Sequence, residues 1–121
     1  MEIGPGIPVL RVESMAAALP FYVDRLGFEV DWEHRFAPGL PLYVQVSRAQ
    51  TVFHLSEHRG DGTPNSVVWI PVTDVYGLHK EFAEKAGGHL PHEIEPDSPG
   101  GPTFEVVDPT GNVLRFAQPQ S

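Results

Sequence analysis

The sequence has no cysteine among its 121 residues, so disulfides, thiolate metal sites and cysteine nucleophiles are excluded at once. Basic residues are scarce as well. Eight Lys and Arg stand against 16 Asp and Glu, and the net charge of −8 repels phosphate backbones and anionic membranes. No nucleic-acid or membrane partner is expected, whereas a cationic small ligand suits that field. No apolar run approaches membrane-spanning length, and Met1-Glu2-Ile3-Gly4-Pro5-Gly6 has no basic region leading into an apolar core. A soluble, cytoplasmic protein is the expectation. The chain also lacks a Gly-x-Ser-x-Gly elbow, a P-loop and a Gly-x-Gly-x-x-Gly turn after a strand, so hydrolase, nucleotide and dinucleotide readings have no motif behind them.

What the chain does have is turn formers. Its 12 Gly and 13 Pro weaken any helical-bundle reading and favour mixed α and β structure, while 40% hydrophobic residues suffice for a core. The length suits one domain, residues 1–121. That domain reads as a duplication. An offset of 60 residues pairs Ile7 with Val67, Leu10 with Ile70, Val12 with Val72 and Ser14 with Asp74, an apolar strand running into a helix cap in both copies. The same shift pairs Ala18 with Leu78, Tyr22 with Phe82, Arg25 with Lys85, Gly27 with Gly87, Val44 with Phe104 and Val46 with Val106. A slip to 61 then aligns Phe53-His54-Leu55 with Leu114-Arg115-Phe116.

Two tandem βαβββ modules follow, about 7–58 and 65–118. The first is expected as strand 7–12, helix 15–26 and strands 28–36, 41–48 and 51–56. The second is expected as strand 66–72, helix 75–86 and strands 88–94, 102–107 and 112–117. Pro20 predicts a kink or a displaced helix start. Phe28, Val30, Trp32, His34 and Phe36 alternate with Glu29, Asp31, Glu33 and Arg35, which predicts one aromatic face and one solvated charged face. Asp108-Pro109-Thr110-Gly111-Asn112 predicts the turn of a closing hairpin. Residues 93–102, rich in Pro, Gly and acid, read as a long loop that either covers a ligand or is simply mobile.

Phe21-Tyr22, Arg25-Leu26-Gly27-Phe28 and the terminal DPTGN, set in this duplicated module, resemble the glyoxalase and bleomycin-resistance superfamily, also called vicinal oxygen chelate. The resemblance covers roughly residues 7–118. It implies an α+β fold whose modules curl into a half-open, cup-shaped sheet, paired in a homodimer. The Pro8-containing first strand is similar to the arm that related subunits exchange or pair. Metal enzymes of the superfamily carry ligands in the first and last strand of each module, which here implies Ile7, Val67, His54 and Arg115. Ile and Val have no donor and Arg stays protonated, so no metal and no cofactor is expected. His54 and His58 lie about 13 Å apart on an extended strand, and His89 and His92 point to opposite faces, so neither pair makes a ligand set.

The resemblance therefore implies a non-catalytic protein of the bleomycin-resistance type, sequestering a cationic, partly aromatic ligand in a groove between subunits. The ligand-binding candidates are Trp32, Phe36, His54, Trp69 and Arg115. Trp32 and Phe36 also fit a core or dimer face, and Trp69 fits a core as well as a cavity. Ser98-Pro99-Gly100-Gly101 stands where such proteins usually carry a Pro-Trp-Gly clamp, which implies weaker drug binding. The alternative is a metal-dependent glyoxalase or dioxygenase with a rearranged site around His54.

Overall fold

The computed structural model describes residues 1–85 and 91–120. Its elements run β1 (Val9–Arg11), α1 (Met15–Leu19) with a π-helical continuation (Pro20–Arg25), β2 (Glu29–Arg35), β3 (Leu42–Arg48), β4 (Thr51–Ser56), β5 (Val67–Pro71), α2 (Val75–Lys85), β6 (Thr103–Val107) and β7 (Val113–Ala117). The fold is α+β and follows one plan twice. One sheet has the order β1-β4-β3-β2 and the other β5-β7-β6. In each, the first strand lies parallel to the last, and the last pairs antiparallel with its predecessor. Leu10 sits opposite Leu55, and Ile70 opposite Phe116, so the offsets of 60 and 61 read from the sequence are offsets of register.

Both helix caps form as their residues dictate. Ser14 Oγ accepts from the Ala17 N–H and Asp74 Oδ1 from the Gly77 N–H, satisfying amides that a helix start leaves unpaired. Pro20 has no N–H to give, and the chain widens into π turns. The Leu26 N–H donates 3.1 Å to the Phe21 carbonyl, five residues back. The break expected at Pro20 thus takes the form of a π-helical segment.

Tyr22, Phe28, Val44 and Phe53 from the first module join Phe82, Phe104, Leu114 and Phe116 from the second in one hydrophobic cluster. The Asp108–Asn112 turn closes the β6–β7 hairpin, as expected, and also ties the modules together. Asp108 Oδ1 accepts the N–H groups of Thr110, Gly111 and Asn112, and its Oδ2 accepts the Tyr22 hydroxyl at 2.8 Å and the Asn112 amide at 2.9 Å. The same Asn112 amide reaches the Arg11 carbonyl. Burial first, then the charge and hydrogen bond of Asp108, hold the Tyr22 phenol well above its ordinary pKa, so it remains a donor.

Three expectations are corrected. The strand expected over 88–94 is absent from residues 91–94, and the residues 88–90, together with position 86, Gly87 and His89, lie outside the described residues. Pro91 cannot donate to a ladder, and among the described residues the backbone bonds tying this segment to β6 are the His92 N–H to Glu105 bond and the Glu95–Thr103 bridge. Ile7 precedes β1 instead of lying in it. The single aromatic face of β2 is split. Val30 stands opposite Val46 but Trp32 opposite Gln45, a bulge that slips the register by one and turns Trp32 to the other face. No helix among the described residues is long and apolar enough to cross a membrane.

Candidate functional site

Val44, Val46, Phe53 and Leu55 are buried in the core, so strand alternation puts Tyr43, Gln45 and His54 on the opposite, open face of the first sheet. The β2 bulge brings Trp32 onto that face. Its indole lies flat against Tyr43, with centroids 5.9 Å apart and planes at 9°, and meets His54 edge-on at 5.2 Å. Trp32 keeps 42% of its surface exposed.

A directed chain of hydrogen bonds runs beneath the indole. Asp31, carried by the bulge, accepts from Gln45 Nε2 and Ser47 Oγ, each at 3.0 Å. Because a carboxylate only accepts, the Gln45 amide turns its Oε1 to His54 Nε2 at 2.9 Å. The proton of His54 therefore sits on Nε2, and Nδ1 accepts the Tyr43 hydroxyl at 2.6 Å. Burial and then the Asp61 charge raise the Tyr43 pKa, which keeps that hydroxyl protonated for its role as donor. Asp31 is thus a member of the site and not merely a solvated charge.

The second sheet repeats the layout with different chemistry. Val9, His54, Gln45 and Trp32 form one row across the first sheet. The corresponding row is Trp69, Arg115 and Glu105, continued by His92 through its N–H to the Glu105 carbonyl. Arg115 Nε donates to Glu105 Oε2 at 2.7 Å. Trp69 is 45% exposed, and its indole lies against the loop backbone at Gly100, whose φ of +89° favours glycine. A cleft of about 490 Å³ is lined by Trp69 and Arg115 with Glu93, Glu95, Glu105 and His92, three carboxylates against one guanidinium. The loop over 93–102 walls it. A cleft of about 600 Å³ opens between the β3–β4 turn and α2, but of its charged groups Arg48 and Glu81 are paired with each other at 2.7 and 2.9 Å, and Asp74 caps α2 by accepting the Gly77 N–H.

The structure brings Trp32 and His54 into one cluster and Trp69 and Arg115 into another. Phe36, 66% exposed at the end of β2, packs on His34 and His58. The positions implied for metal ligands do not fit a metal. Ile7 and Val67 have no donor, Arg115 is paired with Glu105, and both ring nitrogens of His54 have protein partners. Among the described residues no three His, Cys, Asp or Glu side chains come together closely enough to hold a metal ion. Sequence reasoning missed Tyr43, Gln45, Asp31, Glu105 and His92. Applying the repeat to Gln45 and Trp32 would have pointed to Glu105 and His92, whereas nothing in the β2 pattern announces a bulge.

The family model described as glyoxalase superfamily protein matches residues 2–121. No curated protein sequence matches the chain. Among solved structures, a bleomycin-binding protein from bleomycin-producing Streptomyces verticillus, complexed with copper(II)-bleomycin, is 30% identical, with 99% of each chain covered and a TM-score of 0.77. An antibiotic-binding protein from Streptomyces sp. CB03234 is 22% identical over 99% of each chain, with a TM-score of 0.76. A glyoxylase/bleomycin resistance protein/dioxygenase domain from Frankia sp. EAN1pec is 14% identical over 100% of this chain and 95% of that one, with a TM-score of 0.78. The last two likenesses speak for the fold alone.

Proposed function

The chain belongs to the glyoxalase superfamily, and from that premise we propose that it is a non-catalytic cytoplasmic binding protein, one that sequesters a cationic, partly aromatic small molecule. The observation that carries this reading is Trp32, an exposed indole held flat by Tyr43 over an ordered polar chain on an open sheet face. Such a ring offers a planar ligand a stacking surface already fixed in orientation. His54 extends that surface and the exposed Phe36 stands at its edge, while Trp69 and Arg115 serve the acidic cleft of the second module, where a cationic group is favoured. Trp69 stands beside the loop that lacks a tryptophan of its own and supplies an aromatic surface there from β5. The likeness to the bleomycin-binding protein of S. verticillus supports bleomycin as the first probe. The alternative of a metal enzyme around His54 has no support in a histidine whose nitrogens are both engaged.

Two copies completing a shared groove are part of the proposal. Residues 1–121 act as a single domain in it, and the exposed Ile3, Ile7, Val9 and Val67 near β1 and β5 give a second copy apolar surface to cover. Calorimetric titration with bleomycin tests the reading. Binding heat is expected, with an affinity weakened about tenfold by Trp32→Ala and weakened further by added salt. A titration without heat at high ligand concentration overturns the function, and binding indifferent to both Trp32→Ala and Trp69→Ala overturns the site.

A further inference from the structure

His58 Nε2 is buried and has no hydrogen-bond partner among the described residues. Buried polar atoms nearly always have one, because leaving such a group unpaired forfeits its hydration with nothing in return. Movement of the chain cannot easily repair this. The His58 N–H donates to Ser56 Oγ at 3.1 Å, that hydroxyl donates to Asp61 Oδ2 at 2.7 Å, and the Asp61 N–H returns to the His58 carbonyl at 3.1 Å. The backbone of His58 is pinned.

The ring packed on its imidazole is Phe36, with centroids 5.5 Å apart and planes at 79°. Phe36 follows the end of edge strand β2 and is 66% exposed, so little of the core holds it in place. Exposed side chains change rotamer in picoseconds to nanoseconds. We infer that His58 is a ligand contact covered by the ring of Phe36, and that it takes a carboxamide or hydroxyl carried beside a planar ring. Such groups both donate and accept, so either tautomer of His58 can be met. His54, on β4 just before the loop that carries His58, has no capacity left to do this. The planar part of the ligand replaces Phe36 as the cover, and the polar group beside it reaches Nε2. This inference rests on the open face of the first module being a binding face, and it adds the polar group that face selects.

The test uses the wild-type chain with ¹⁵N-labelled histidine and tryptophan, and benzamide as the probe. Saturation with benzamide is expected to shift the His58 Nε2 resonance together with the Trp32 indole. If the Trp32 signal moves and His58 Nε2 does not, the inference fails while the binding face stands. If neither moves, both fail. Without any ligand, diethyl pyrocarbonate is expected to modify His58 several times faster in Phe36→Ala than in the wild type, and equal rates would show that Phe36 is not the cover.

Discussion

Tyr22 and Phe82 occupy the same position in the two helices, and the oxygen that distinguishes them decides how the modules are joined. Tyr22 donates to Asp108, a carboxylate only 4% exposed, which in turn holds three amides of its own turn. Tyr22→Phe is expected to cost about 1–3 kcal/mol in urea denaturation, because a buried carboxylate loses one of its hydrogen bonds while Asn112 stays on the same oxygen. An unchanged midpoint would mean that the tie contributes nothing. Asp31 shows how far a residue's role escapes its sequence pattern. It alternates with aromatics as a surface charge should, yet its carboxylate orients Gln45 and, through it, the tautomer of His54. Asp31→Ala is expected to weaken bleomycin binding while shifting stability by no more than about 0.5 kcal/mol, the usual range for surface positions. A loss of folding without a loss of affinity would contradict that division.

At the scale of elements, the strands of both hairpins, the two caps and the Pro20 break were legible because alternation, capping and the missing proline N–H are local properties. The β2 bulge was not, since it depends on which residues of β3 lie opposite, and the 91–95 edge was misread because Pro91 weakens pairing in a way hydrophobic pattern does not record. The candidate site shows the same division. Trp32, His54, Trp69 and Arg115 were named from the sequence, but the partners that fix them came from cross-strand register. The Asp108–Asn112 turn offers a test of an element acting as a unit. Gly111 has φ of +106°, and a Cβ there would run into Asn65 Oδ1, so Gly111→Ala is expected to cost about 1–3 kcal/mol and lower the melting temperature. A neutral effect would mean that the turn relaxes freely and does not anchor Tyr22.

For the whole molecule, stability should be bounded by pH on both sides. Burial favours the neutral form of Glu57, but the N–H groups of Leu42 and Met15 and the charges of Arg35 and Arg11 prevail, and its pKa lies below 4.5; the Arg48 hydrogen bond lowers Glu81 likewise. Carboxylates depressed in the folded state contribute above their unfolded value and cease to as pH falls through the folded one, so the urea midpoint should decline below about pH 4.5. Tyr22 is raised, so its contribution is complete below its unfolded value of 10.0 and disappears as pH climbs towards the folded one. A midpoint that rises below pH 4.5 would reverse the sign argued for both glutamates. The duplicated plan sets an aromatic row on the first sheet and an acidic cleft on the second, and the proposed ligand, planar at one end and cationic at the other, is drawn from that pairing. Native mass spectrometry of the purified protein with metal-free bleomycin tests that account most directly. The expected result is a dimer that retains bleomycin and, before bleomycin is added, carries no stoichiometric divalent metal. A monomer that ignores bleomycin and holds zinc, nickel or iron until His54→Ala removes it would contradict the account.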